Sequence, residues 1–127
     1  MEADVKKYLF DIQISIESIF DFLGDRRDFF DYQNSKMLRL AVEREIEIIG
    51  EATSKILQID STIAITSARQ IVDTRNWVIH GYDKVDDVVM GGIITNHLPH
   101  LLSEIKALCL HSNNAGYDDW NNLFSLP

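Results

Sequence analysis

The chain has 127 residues, 46% of them hydrophobic, which suits one domain with its own core and is too little for two ordinary ones. A net charge of −8 excludes surface-wide attraction to nucleic-acid phosphate, so any RNA contact has to be local. No uninterrupted apolar run of signal-peptide or membrane-spanning length is visible, and the single cysteine, Cys109, has no disulfide partner, so the expectation is a cytoplasmic protein.

Val5, Leu9, Ile12, Ile16, Ile19 and Leu23 recur at spacings of three and four, one apolar stripe on a helix that Gly24 is placed to end. The charged and aromatic stretch from Asp25 to Asn34 reads as a connector with room for one helical turn. Leu38, Val42, Ile46, Ile49 and Ile56 predict a second long helix from about Ser35 to Leu57, where Gly50 hints at a closely packed neighbour. Asp60, Ser61 and Thr62 break it. Thr66 or Ser67 can cap a third helix that ends at His80, with Gly81 just beyond. Asp86 can cap a last helix bearing Ile94, Leu98, Leu101, Leu102, Ile105, Leu108 and Cys109, and Pro99 should kink it. With no alternation of strand length anywhere, the expected fold is an all-α, antiparallel bundle of four to five helices. Residues 1–110 form that bundle. The tail 111–127 carries Tyr117, Trp120, Leu123, Phe124 and Leu126, too apolar for a solvated tail, and is expected to dock on a partner or on a dimer.

The segment Arg75-Asn76-Trp77-Val78-Ile79-His80-Gly81-Tyr82 concentrates the chemistry. On a helical wheel Arg75 lies in the apolar arc of Ala68, Ile71, Val72, Val78 and Ile79, so its guanidinium either pairs with a carboxylate such as Glu43, Glu47 or Glu51 or faces a cleft that receives an anion. Arg69, Asp73, Asn76 and His80 share another stripe. His80 stands in the last turn, where the helix dipole favours the imidazolium, and reads either as a proton-handling group or as a C-terminal cap. Five residues separate Arg75 from His80, roughly 140° round the helix, so one straight helix does not aim both at one small group; two such helices meeting across a two-fold axis do. Tyr82 reads as packed against the bundle end or as beside that cleft. His97 and His100 lack a third ligand in the sequence and read as surface or packing residues, and Asp83, Asp86 and Asp87 as loop and cap. No metal site and no cofactor is expected.

Arg75-Asn76, three residues, then His80-Gly81-Tyr82 is similar to the Arg-Asn-x-x-x-His motif of HEPN domains, specifically the HepT toxin group. Glu47-Ile48-Ile49-Gly50-Glu51-Ala52 resembles that family's central helix, and Gly81 to Asp86 with His97-Leu98-Pro99 resembles its C-terminal half. Together these cover about Val5 to Leu108, with Trp77 a departure from the pattern. The resemblance implies a homodimer with its active site at the dimer cleft. It implies RNA cleavage without metal by a toxin of type II or type VII kind, with Arg75 and His80 as the active pair and Asn76 and Asp73 in support. It also implies a nucleotidyltransferase antitoxin that attaches AMP to Tyr82. The substrate would be RNA such as tRNA or mRNA. The alternative is a non-catalytic HEPN-like module that binds RNA or nucleotide, or scaffolds a nucleotidyltransferase, with Arg75 as an anion clamp.

Overall fold

A computed structural model describes residues 3–24, 29–80 and 87–111, those at 75–80, 87–89 and 111 by backbone alone. All regular structure among them is helical: α1 (Ala3–Leu23), α2 (Phe29–Asn34), α3 (Lys36–Ile59), α4 (Ala68–His80), α5 (Asp87–Gly92), a π turn (Ile93–His97) and α6 (Leu98–His111). The all-α expectation holds. Gly24, at φ 74°, ends α1 by donating its N–H to the Phe20 carbonyl at 3.0 Å, a left-handed closure that favours glycine.

The stretch expected to be a connector does more than connect. Its six-residue helix α2 buries Tyr32 almost completely and stacks Phe29 on it at 5.5 Å, and Phe29 also packs tightly over Gly91 of α5. Ser35 then caps α3 by accepting the Leu38 N–H at 3.1 Å. At the far end the Asp60 N–H donates to the Ile56 carbonyl at 2.8 Å, while its carboxylate accepts both the N–H (3.0 Å) and the hydroxyl (2.6 Å) of Thr62. These two bonds hold the Asp60 carboxyl below its ordinary range, the side-chain bond contributing most.

The core is built on the predicted stripes, with Met90 and Tyr32 added to them. Val5, Leu9, Ile12, Ile16 and Ile19 of α1 meet Val42, Ile46, Ile49 and Ile56 of α3, with Gly50 buried beside them. Met90, Ile94, Leu98, Leu101, Ile105 and Cys109 close it from the last rod. Those six positions step by 4, 4, 3, 4 and 4 residues, wider on average than the 3.6 of an α-helix, so a straight α-helix would carry the stripe off the core. The π turn absorbs the surplus: the Leu98 N–H reaches back five residues to the Ile93 carbonyl, and Gly92 and Leu98 keep helical dihedrals on either side. It ends two residues before Pro99, which has no N–H to continue the ordinary ladder, so a change of helix type lies where the sequence led one to expect a kink.

The candidate site between α4 and the π turn

Ile71 donates its N–H to the Ser67 carbonyl at 2.9 Å, which starts α4 where the sequence placed it. Ala68 is buried and Ile71 and Val72 half-buried, whereas Arg69 and Asp73 are exposed, so the two stripes read from the sequence are real faces. By helical register, position 75 continues the face of Ile71, and positions 76 and 80 continue the line of Arg69 and Asp73. The side chains of Arg75, Asn76 and His80 lie outside the described residues, as does Tyr82 altogether. So do the proposed cap Asp86 and the tail beyond His111.

Of the carboxylates considered for Arg75, two form ion pairs within α3. Glu47 pairs with Arg44 at 3.2 Å and Glu51 with Lys55 at 3.9 Å. Both line a groove of about 410 Å³ shared with Tyr8 and Asp11 of α1. Glu43 is half-buried, about 60° round α3 from Ile46.

What the sequence did not announce is the seam between α4 and the last rod. Near its start, Glu104 of α6, with a side chain only 12% exposed, accepts the Thr66 N–H at 2.9 Å. Its other oxygen, Oε1, is buried without a hydrogen bond among the described residues, 3.7 Å from His100 Nε2, and that ring nitrogen lies 3.1 Å from the Thr66 hydroxyl. His100, with a side chain 58% exposed, thus stands at the surface with polar contacts. A carboxylate at this spot also faces the positive end of the α4 dipole. Thr66 opposite His100 and Glu104, with Gln70 and Thr74 opposite His97 and Ile93, makes α4 and the last rod antiparallel.

Further along the same seam is a cavity of about 270 Å³. Ile46 and Ile49 of α3 form its floor, Ile71 and Thr74 one wall, and Ile93 and Leu101 the other. Gln70, His97 and Gly92 complete the rim, and a Cβ added at Gly92 would meet nothing within 4 Å. The Thr74 hydroxyl donates to the Gln70 carbonyl at 2.8 Å. Only a hint of this was legible: a glycine in a helix signals closeness or space, and the pair Gly91-Gly92 supplies one of each.

Cys109 is buried as expected, and desolvation pushes its thiol up to about 11 against a small opposing pull from Lys6. It is no nucleophile at neutral pH. No helix among the described residues is long and apolar enough to cross a membrane.

A family model described as "Ribonuclease HepT-like" matches residues 12–108. The chain belongs to the HepT-like ribonuclease family. It is 33% identical over 107 residues to a Methanocaldococcus jannaschii protein named "putative RNase", covering 83% of this chain and 96% of that one. A second so-named protein of the same organism is 28% identical over 108 residues, 84% of this chain and 92% of its own length. A third, named as a gamma-glutamylcyclotransferase and putative RNase, is 33% identical over 106 residues, and there the HepT-like chain spans 47% of the relative. No solved structure matches. Family and relatives together support an RNase-type function, and the Arg-Asn-x-x-x-His segment falls inside the matched span.

Proposed function

We propose that this HepT-like chain is a metal-independent endoribonuclease toxin, cytoplasmic and homodimeric, held in check by a nucleotidyltransferase antitoxin. The observation that carries the reading is a family match that runs through the last two turns of α4, where Arg75, Asn76 and His80 stand.

RNA carries its own nucleophile. His80 takes the proton of a 2′-hydroxyl; its oxygen attacks the adjacent phosphorus, forming the bond to O2′ and breaking the bond to O5′. Arg75 holds the non-bridging oxygens with its planar fork and stabilises the charge that builds on them. Asn76 orients His80 or the phosphate, and Asp73, exposed one turn before, supports that line of side chains. Because positions 75 and 80 diverge by roughly 140° round α4, the complete site is a cleft between two copies, and His80 of the partner subunit protonates the leaving 5′-oxygen. The products are a 2′,3′-cyclic phosphate and a 5′-hydroxyl. AMP on Tyr82 would set bulk and negative charge beside Arg75 and repel the substrate phosphate.

The test is cleavage of RNA under chelator by wild type, Arg75→Ala and His80→Ala. Chelator-resistant cutting with cyclic-phosphate ends, lost in both variants, is the expected result. RNA binding without cleavage by wild type would instead make the chain a binding module. Activity that persists undiminished in dilute monomer would remove the shared cleft, and an antitoxin that modifies Tyr82→Phe as fully as wild type would remove Tyr82 as acceptor.

A further inference from the structure

We infer that the cavity between α4 and the π turn seats one base of the RNA substrate, next to the phosphate that is cut; this rests on the ribonuclease reading above. Position matters first. Gln70, Ile71 and Thr74 line the cavity, and position 75 follows on the Ile71 face one turn later, so a base in the cavity would hang from a backbone running toward Arg75. Size comes second. At about 270 Å³ the space falls just under the ~300 Å³ where pockets for drug-sized ligands begin, which suits a single flat ring better than a whole nucleotide.

Lining chemistry decides the class of guest. Ile46, Ile49, Ile71 and Ile93 offer apolar faces for a ring lifted out of its stack, while Gln70, Thr74 and His97 offer hydrogen bonds at its edge. The Thr74 proton is already given to the Gln70 carbonyl, so its oxygen can only accept from a guest. Every base can donate there from its edge, adenine, cytosine and guanine through an exocyclic amine and uracil through its ring N3–H. The π turn belongs to the same construction. It carries Ile93 and His97 at the rim, and Gly92 at its entrance leaves the space unfilled.

Two glycine variants and one threonine variant test this on the full chain, with amide chemical-shift titrations using the four nucleoside 3′-monophosphates. Shifts should concentrate at Gln70, Ile71, Thr74, Gly92 and Ile93. Thr74→Val, nearly the same shape, should weaken binding of each by about fivefold, the value of one net hydrogen bond. Gly92→Leu should abolish the shifts, and Gly92→Ala, with a methyl in open space, should weaken them while melting no lower than wild type. Shifts that gather elsewhere, that survive Gly92→Leu, or that follow protein concentration rather than nucleotide overturn the assignment, the last because a second copy would then cover the cavity. Sequencing the cuts made in random-sequence RNA keeps the two readings apart. Cutting without base preference, at an unchanged rate in Gly92→Leu, removes the base pocket and leaves the ribonuclease. Nucleotide shifts at the cavity with no cutting by wild type leave the pocket and remove the ribonuclease.

Discussion

Gly91 and Gly92 are neighbours in sequence and opposites in packing, so one substitution made twice should give two different signs. In a helix interior, alanine is favoured over glycine by about 0.8–1 kcal/mol. A Cβ at Gly92 meets nothing within 4 Å, so Gly92→Ala should realise most of that gain. A Cβ at Gly91 would stand 3.0 Å from both Cε2 and Cζ of Phe29. That ring cannot simply swing away, because it is stacked on Tyr32, itself 1% exposed. Overpacking of this kind costs about 1–3 kcal/mol, which outweighs the propensity gain and leaves Gly91→Ala destabilised by roughly 1 kcal/mol. The two variants should thus differ by about 2 kcal/mol. In a domain of this size that is on the order of 8 °C in Tm. Thermal unfolding followed by far-UV circular dichroism, with urea midpoints as a check, measures it. If both variants rise together, Phe29 does not press on the last rod and the account of α2 as a packed element is wrong.

Other consequences are simpler to state. Gln13 is buried, donates to Glu17 at 3.1 Å and leaves its Oε1 without a partner among the described residues; Gln13→Met should stabilise by about 1 kcal/mol, seen as a higher urea midpoint at unchanged m-value. A thiol with a pKa of about 11 is thiolate in only about one molecule in a thousand at pH 8, so Cys109 should react with a disulfide reagent no faster than the chain unfolds, and rapid stoichiometric labelling of folded protein would contradict its burial. The Asp60 carboxyl titrates below its ordinary 3.8 when folded, so its bonds to Thr62 support the fold fully above that value and are lost as pH falls through the lowered one. Asp60→Asn should therefore lose less stability than wild type on acidification below about pH 4, and parallel acid limbs for the two proteins would show that the turn does not depend on that charge.

Legibility followed the range of the interactions. The α1 stripe and its Gly24 stop, the Ser35 cap, and both ends of α4 rest on residues within one or two turns of each other, which periodicity and capping rules can see. Helix α2 was legible only as room for one helical turn, because six residues cannot display a 3.6 period and what fixes it, Tyr32 in the core and Phe29 over Gly91, joins residues far apart in sequence. The π turn left a trace in the spacing 90, 94, 98, but the same numbers also fit an unbroken helix seen loosely. Glu104 and Thr66, 38 residues apart, could not be joined by any local rule. For the motif the position differs: its helix and register were legible and α4 has both, whereas the roles of Arg75, Asn76, His80 and Tyr82 rest on the family resemblance.

The seam between α4 and the last rod orders these features along one line: the Glu104 contact at Thr66, then the cavity at Gln70 and Thr74, then the motif from Arg75. Thr66 and Arg75 are nine residues apart, about 13 Å along the helix axis, so a contact at the first can reach the second only through the rigidity of the helix between them. This separates two kinds of damage. Glu104→Ala removes the acceptor of the Thr66 N–H and should lower stability by about 1 kcal/mol while leaving KM and kcat for RNA unchanged in the folded fraction. Filling the cavity through Gly92→Leu should raise KM with little change in Tm. If Glu104→Ala instead raises KM at a temperature where the protein is fully folded, the start of α4 sets the position of the motif at its other end, and the helix acts as a lever rather than a fixed post.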